Sequence, residues 1–125
     1  MAKKKRILLV DDEVDFVEVL RVRLEDSNYE VIVAYDGEEG LARAEREYPD
    51  LIILDVMLPI ISGFDVCRKL KIGEKFKNIP IIMLTAKFQA NDIEFGMAMG
   101  ADGYITKPFE PKVLLEKIRE LLNKE

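Results

Sequence analysis

Short apolar runs alternate with amphipathic stretches along the chain, and the pattern repeats five times without a linker. The apolar runs favour buried strands at residues 7–10, 29–34, 51–54, 81–84 and 103–106. The stretches between and after them predict helices at residues 14–24, 38–47, 64–72, about 91–99 and 111–122. Gly, Pro and Asn or Asp residues separate these segments, as expected for turns in an α/β protein.

Strands that are apolar on both faces indicate a parallel sheet covered by helices on each side. Because crossovers between parallel strands are right-handed, the five β-α units predict a doubly wound α/β fold, a three-layer sandwich around a five-stranded sheet. Neither a repeat nor a composition shift divides the chain, so residues 1–125 are predicted to form a single domain.

Polar side chains follow four of the predicted strands at the point where each strand ends. Asp11 and Asp12 follow the first, Asp55 the third, Thr85 the fourth and Lys107 the fifth. The carboxyl ends of parallel strands meet at one edge of a sheet, which is where ligands bind in open α/β folds. The sequence therefore predicts that three carboxylates, a hydroxyl and an ammonium group converge.

Three neighbouring carboxylates need a cation. Two carboxylates about 4 Å apart repel by roughly 4 kcal/mol at an effective dielectric constant of 20. Hard oxygen ligands suit Mg²⁺, so Asp11, Asp12 and Asp55 are candidate magnesium ligands. The alternative is that the acidic residues after the first strand only cap the first helix, which would leave Asp55 unexplained.

Together these groups resemble a phosphoryl-transfer site. A metal and Lys107 would neutralise the transferring oxygens, Thr85 would bind another oxygen, and a carboxylate would attack phosphorus. Asp55 is the best candidate nucleophile, because it stands alone on its strand, whereas Asp11 and Asp12 are adjacent, as expected for a metal-binding pair.

Composition narrows the function further. The net charge of -5 argues against non-specific nucleic-acid binding, and the absence of histidine excludes imidazole catalysis by this chain. The single cysteine, Cys67, excludes an intrachain disulfide and is expected in the core. Neither a membrane-length apolar run nor a signal peptide is present, which predicts a cytoplasmic protein without membrane contact.

These motifs, in this order, resemble the response-regulator receiver domains of two-component signalling, including the chemotaxis regulators. The resemblance covers essentially the whole chain. The matching residues are Val10-Asp11-Asp12-Glu13, Asp55 with Pro59 and Gly63, Thr85-Ala86, Gly100-Ala101-Asp102, and Tyr104 to Lys107-Pro108-Phe109.

The resemblance implies a flavodoxin-like fold with strand order 2-1-3-4-5. Asp55 would accept a phosphoryl group from a sensor histidine kinase or phosphotransfer protein, with Mg²⁺ bound by Asp11, Asp12, Asp55 and the backbone carbonyl of Met57. The domain would catalyse only its own phosphorylation and slow dephosphorylation. Thr85 and Tyr104 would form a switch pair, and the Lys107–Pro108 bond would be cis.

The resemblance also implies a partner surface made by the fourth helix, the fifth strand and the last helix. Its charged residues would be Lys87, Asp92, Glu94, Asp102, Lys112, Lys117 and Arg119. Mixed charge signs allow this surface to form a two-fold homodimer after phosphorylation. Gly103 departs from the family pattern, because many members have an acidic residue there. Residues 96–102 resemble receivers attached to winged-helix DNA-binding domains, so a free-standing receiver and part of a longer regulator both remain open.

Two other classes share parts of this chemistry. A haloacid-dehalogenase-type phosphatase uses an aspartate nucleophile and Mg²⁺, but it needs a second acid at the position that Met57 occupies here. A flavodoxin-type module needs a hydroxyl- and glycine-rich loop after the first strand, where this chain has three acidic residues that would repel a phosphate.

Overall fold

The computed structural model describes residues 3–85, 94 and 96–123. Five strands form one parallel sheet, and their order, β2-β1-β3-β4-β5, is the predicted one. The strands are β1 Arg6–Val10, β2 Glu30–Ala34, β3 Leu51–Asp55, β4 Ile81–Thr85 and β5 Gly103–Thr106.

Four helices are described over their full length: α1 Val14–Asp26, α2 Gly37–Glu47, α3 Gly63–Ile72 and a C-terminal helix Pro111–Leu122. Of the helix predicted at residues 91–99, Glu94 and residues 96–98 are helical, and residues 91–93 and 95 lie outside the described residues. None of the described helices has the length and hydrophobicity needed to span a bilayer.

Alternate residues of each central strand face different helical layers. Leu8 and Val10 pack in a cluster with side chains of α2 and α3, including Ala44 and Val66. Ile7 and Leu9 pack instead with side chains of α1 and the C-terminal helix, which include Val17, Leu20, Leu114 and Ile118. A strand has a period of two, so a run that is apolar throughout can fill both cores. The predicted three-layer sandwich is confirmed.

Helix α1 buries one face, which carries most of its apolar residues. Val17, Leu20 and Leu24 are buried, as the apolar pattern predicts. The other two apolar residues of this stretch, Val14 and Val22, are 57% and 48% exposed. The i, i+3, i+7 spacing of the buried residues defines the packed face, and the two exposed valines lie outside it.

Charged side chains join neighbouring elements at the amino edge of the sheet. The backbone N–H of Arg6 donates to Asp50 Oδ2 at 2.8 Å, and the Arg6 guanidinium pairs with Glu30 and Glu47. Near the start of β4, Asp102 Oδ2 accepts from the Ile81 N–H at 2.9 Å and from Lys71 Nζ at 2.8 Å.

Lys71 belongs to α3, and its ammonium group has two further acceptors. It donates to the backbone carbonyls of Lys77 and Ile79 at 3.1 and 2.8 Å. Together with Asp102, it therefore ties α3 to the amino ends of β4 and β5. Asp102 was predicted to belong to a partner surface, and that stays a prediction; in the structure its side chain is 37% exposed and pairs with Lys71.

Candidate functional site

The strand order brings the predicted site residues to one edge. Strand β3 lies between β1 and β4, so Asp55 at its end lies between Asp11, which follows β1, and Thr85, which ends β4. Thr85 is paired with Thr106 of β5, and Lys107 comes next in the chain. The convergence expected from parallel strand ends is therefore present in the fold.

Asp11, Asp12 and Asp55 form one acidic cluster. Each offers a carboxylate oxygen, and these atoms all lie within 4.8 Å of one another. Asp11 is fully buried and Asp55 is 4% exposed, whereas Asp12 is exposed. Two carboxylates thus lie under the surface, and the third is open to solvent above them.

Backbone N–H groups orient the two buried carboxylates. Asp11 Oδ1 accepts from the N–H of Glu13 at 2.9 Å, and Asp55 Oδ1 accepts from the N–H of Met57 at 3.1 Å. Glu13 is the N-cap of α1, and its side chain makes no capping hydrogen bond. The acidic run therefore does not act as a side-chain cap for the helix, and the capping alternative does not account for it.

Lys107 brings a positive charge to the acidic cluster. Its Nζ atom lies 2.8 Å from Asp11 Oδ2, 2.8 Å from Glu13 Oε1 and 3.4 Å from Asp55 Oδ2. Burial favours the neutral amine, but hydrogen bonds to Asp11 and Glu13 and the charge of Asp55 outweigh it and raise the pKa of Lys107. The peptide bond between Lys107 and Pro108 is cis, as predicted.

The charge on Asp55 remains only partly compensated. Burial, with the charge of Asp11 next, raises the pKa of Asp55 from 3.8 to about 6, although Lys107 acts in the opposite direction. Among the described residues, Asp11, Glu13 and Asp55 all lie within 3.4 Å of the Lys107 ammonium group, and Asp12 belongs to the same acidic cluster. Clustered carboxylate oxygens with an incompletely neutralised charge suit a small divalent cation, so these residues fit Mg²⁺.

Two residues that sequence reasoning missed contact Lys107. The Glu13 carboxylate pairs with it, and the Phe16 ring centroid lies 4.3 Å from Nζ, within the range of a cation–π interaction. The Phe109 ring packs edge-on against Phe16, with the centroids 6.0 Å apart. The role of Glu13 could have been suspected from the sequence, because Glu13 directly follows the aspartate pair. For Phe16, the sequence offers only its place in the helical pattern.

The predicted switch residues lie on adjacent strands. Thr85 is 4% exposed at the end of β4, and Tyr104 of β5 is partly buried and packs against the core. The ring of Tyr104 lies against the backbone of Gly96, where an added Cβ would come within 2.4 Å of Tyr104 Cε2. Lys87 and Asp92, which were predicted for the partner surface, and Ala86 of the motif lie outside the described residues.

The backbone of Gly63 packs closely against the backbone of Asp55. Gly63, the first residue of α3, donates its N–H to the carbonyl of Val56 at 2.9 Å. A Cβ at position 63 would lie 2.0 Å from the Asp55 carbonyl oxygen. Only glycine allows the start of α3 to approach the backbone of Asp55 this closely.

A doubly wound parallel fold with an acidic cluster and a lysine at its carboxyl edge defines a phosphoacceptor type of signalling domain. The model of the response regulator receiver domain family matches residues 7–119. The chain therefore belongs to the response regulator receiver domain family, a family of phosphoacceptor signalling domains that generally use Mg²⁺.

Similar proteins and similar solved structures agree with this family assignment. The chain is 48% identical over 120 residues to the alkaline phosphatase synthesis transcriptional regulatory protein PhoP of Bacillus subtilis, covering 96% of this chain and 49% of that protein. It is 43% identical over 120 residues to the response regulator ArlR of Staphylococcus aureus, covering 96% and 53%. The chain thus spans about half the length of the curated relatives it matches.

Among solved structures, a CheY-like response regulator receiver domain protein from Methanospirillum hungatei superposes with a TM-score of 0.90 at 37% identity, covering 96% of this chain and 94% of that one. The BeF3-activated N-terminal receiver domain of RstA from Klebsiella pneumoniae gives 0.87 at 31% identity, covering 96% and 100%. The family assignment replaces the phosphatase and flavodoxin alternatives.

Proposed function

We propose that residues 1–125 act as a single receiver domain in which Asp55 is the phosphorylation site. The observation that carries this proposal is the position of Asp55, in a buried acidic cluster beside Lys107 at the end of the middle strand. A carboxylate oxygen of Asp55 would attack the phosphorus of a phosphohistidine on a sensor histidine kinase or phosphotransfer protein. A P–O bond forms, the P–N bond breaks, and its electron pair leaves with the imidazole of the donor.

Asp11, Asp12, Asp55 and the backbone carbonyl of Met57 would hold Mg²⁺. When bound, Mg²⁺ supplies positive charge to the carboxylates and to the oxygens of the transferring group. Lys107 is already within 3.4 Å of Asp55, so its ammonium can bind one phosphoryl oxygen as a point charge. Thr85, at the end of the neighbouring strand, would donate its hydroxyl to another.

The phosphoryl group would switch the partner surface through Thr85 and Tyr104. A hydroxyl drawn towards the phosphoryl group changes the space next to β5, and the Tyr104 ring would respond by turning towards the core. The responding surface would bind a partner or a second copy of the chain. Within the described part of this surface, the stem of Lys117 lies over Gly103, and Lys117 pairs with Glu120 at 3.6 Å.

The family, and relatives whose names describe transcriptional regulators, support the broader biological proposal. We infer a cytoplasmic protein that receives its phosphoryl group from a kinase and passes the signal to an output domain, of which DNA binding is the best-supported kind. Its chemistry would be limited to its own phosphorylation and slow dephosphorylation.

The donor would dock on an apolar strip beside the acidic cluster. Phe16, Val19 and Leu20 of α1 line a groove with Pro108 and Phe109, and the Phe16 ring centroid lies 4.3 Å from Lys107 Nζ; Val19 is 67% exposed. A donor that delivers a phosphoryl group to Asp55 has to cover this edge. We expect Val19→Asp to slow transfer from a phosphorylated kinase at least tenfold, while labelling by acetyl phosphate is unchanged, because only the protein donor needs the strip.

The control for docking is Val113→Asp, because Val113 is a 50% exposed valine on the C-terminal helix. Equal transfer from the kinase to the Val19 and Val113 variants would rule out docking at this strip.

Asp55 itself is tested by labelling. Wild type, Asp55→Asn and Asp65→Asn are incubated with a phosphorylated kinase, with Mg²⁺ or with excess chelator. We expect label on wild type and on Asp65→Asn, whose aspartate is exposed in the first turn of α3, and none on Asp55→Asn or in chelator. Label on Asp55→Asn equal to wild type would refute the proposal.

A further inference from the structure

Lys107 competes with a metal ion for both carboxylates that the proposed function requires. The Oδ1 atoms of Asp11 and Asp55 accept backbone N–H groups, and the Oδ2 atoms of the same carboxylates face Lys107 Nζ at 2.8 and 3.4 Å. A cation bound at the Asp11 Oδ2 atom would lie close to this ammonium group and be repelled by its positive charge, and the same ammonium occupies one side of the Asp55 oxygen. Binding of the metal at these two oxygens is therefore favoured when Lys107 withdraws from them.

The third contact of Lys107 shows where the ammonium group can remain. Glu13 Oε1 lies 2.8 Å from Nζ, and the Glu13 side chain is 63% exposed, at the outer side of the cluster. The face of Phe16 lies 4.3 Å from Nζ. An ammonium group that leaves Asp11 and Asp55 can keep both of these contacts. Without them, it would have to stay on the aspartates or move out into solvent.

We propose that Glu13 and Phe16 form a holding site for the Lys107 ammonium group, which keeps it next to the cluster when Asp11 and Asp55 bind Mg²⁺ and the phosphoryl group. Glu13 and Phe16 are thus positioning residues that act through Lys107. This inference rests on the proposed function only for its metal ligands and for the later role of Lys107 at the phosphoryl group.

Two mechanisms by which Glu13 can affect metal binding have to be separated. If Glu13 holds Lys107, its removal weakens Mg²⁺ binding because Lys107 then loses its remaining carboxylate partner in the metal-bound state. If Glu13 acts only as a nearby negative charge, the same weakening occurs without Lys107. A double-mutant cycle on the Mg²⁺ dissociation constant separates the two mechanisms.

The dissociation constant for Mg²⁺ is measured by calorimetry on the unphosphorylated protein. We expect Glu13→Gln to raise it about two- to fivefold, as for a partly exposed charge pair, and to change it less than 1.5-fold in a Lys107→Met background. The matched control is Asp15→Asn, which removes the same charge from an exposed residue in the first turn of α1. An equal effect of Glu13→Gln with and without Lys107 would overturn the holding site, as would equal effects of the Glu13 and Asp15 variants.

A second measurement needs no substitution of Lys107. In ¹H–¹⁵N spectra, the Nζ protons of a lysine held in an ion pair exchange slowly enough to be observed. With saturating Mg²⁺, we expect this signal to persist in wild type and to be lost in Glu13→Gln and reduced in Phe16→Leu. Loss of the signal in wild type with Mg²⁺ would overturn the proposal. Neither readout involves phosphorylation, so labelling of Asp55→Asn would refute the proposed function without touching this inference.

Discussion

The two edges of the sheet use charged residues in opposite ways. At the amino edge, the acids and bases balance. The Arg6 guanidinium pairs with Glu30 and Glu47, and Arg43 and Arg46 lie 3.6 and 3.9 Å from Glu47. Asp50 accepts the Arg6 backbone N–H, and Lys71 holds Asp102 together with two backbone carbonyls. At the carboxyl edge, the described acids outnumber the described bases. Asp11, Glu13 and Asp55 contact the Lys107 ammonium group, Asp12 joins the same cluster, and the pKa of Asp55 is raised to about 6.

The difference separates a structural from a functional use of charge. Matched charges fasten neighbouring elements and leave nothing for a ligand. Unmatched charges oppose folding unless another cation is bound, so the excess of acids at the carboxyl edge marks the place where stability is lowered for binding. The same comparison predicts opposite responses to substitution at the two edges.

The largest change in the free energy of unfolding is expected for Lys71→Met at the amino edge. The variant keeps most of the apolar stem but leaves Asp102 and two carbonyls without the ammonium, so the free energy of unfolding should fall by about 2 to 3 kcal/mol. Urea denaturation with and without Mg²⁺ measures it, and the loss should be the same in both. Lys75→Met, at an exposed neighbouring lysine, is the control; equal losses in the two variants would contradict the role of Lys71.

At the carboxyl edge, removing a charge should stabilise the fold. The pKa of Asp55 is 3.8 in an unperturbed chain and about 6 in the fold, so the folded state holds the proton more tightly. Stability from this group is present at pH values below 3.8 and is lost as the pH rises towards about 6. At pH 7 without Mg²⁺, Asp55→Asn should therefore raise the free energy of unfolding by about 1 to 2 kcal/mol.

The advantage of Asp55→Asn should shrink as the pH is lowered towards 4, because wild-type Asp55 is then protonated in the fold. Urea denaturation between about pH 4 and 8 follows this difference. A variant that is less stable than wild type at pH 7 would show that the contact with Lys107 outweighs burial and the repulsion from Asp11.

Mg²⁺ should stabilise the fold through the residues of the carboxyl edge and not through those of the amino edge. At a concentration about ten times its dissociation constant, Mg²⁺ adds about 1.4 kcal/mol to the free energy of unfolding and raises the Tm accordingly. Asp12→Ala should lose most of this shift, whereas Lys71→Met should keep it. Differential scanning calorimetry provides the measurement, and an undiminished shift in Asp12→Ala would remove Asp12 from the proposed ligands.

The smallest change in the free energy of unfolding is expected for Arg6→Gln. The Arg6 side chain is 31% exposed and its partners Glu30 and Glu47 are 55% and 28% exposed, so solvent screens these pairs. A loss of about 0.5 to 1 kcal/mol is expected at low salt, and most of it should vanish at 1 M salt. A loss that is independent of salt would indicate that packing of the Arg6 stem matters more than its charge.

The sequence predicted the strands and the residues that meet at the carboxyl edge, because strand ends can be located from apolar runs. The predicted bounds of β5 and of the C-terminal helix agree with the structure, and the other described elements agree within two residues at each end. Asp11, Asp55, Thr85 and Lys107 could be placed together because parallel pairing fixes which ends meet.

What the sequence could not predict depends on side-chain directions between distant segments. The contact of Lys107 with Glu13 joins residues 94 positions apart, and it depends on the angle at which α1 leaves the sheet. Helical periodicity did not separate the buried Val17 from the exposed Val14 and Val22, because valines occur around much of the circumference of α1. The pairing of Asp102 with Lys71 was missed because it depends on the directions of two side chains that are far apart in the sequence.

The contact between Gly63 and the Asp55 backbone has a consequence for genetics. A side chain at position 63 would displace the carbonyl of Asp55, which lies 2.0 Å from the place of a Cβ. A random screen for signalling-dead alleles should therefore recover changes at this glycine alongside changes at the charged residues. Such alleles would retain every charged group and still fail, and suppressors would be expected among substitutions that let the first turn of α3 move outward.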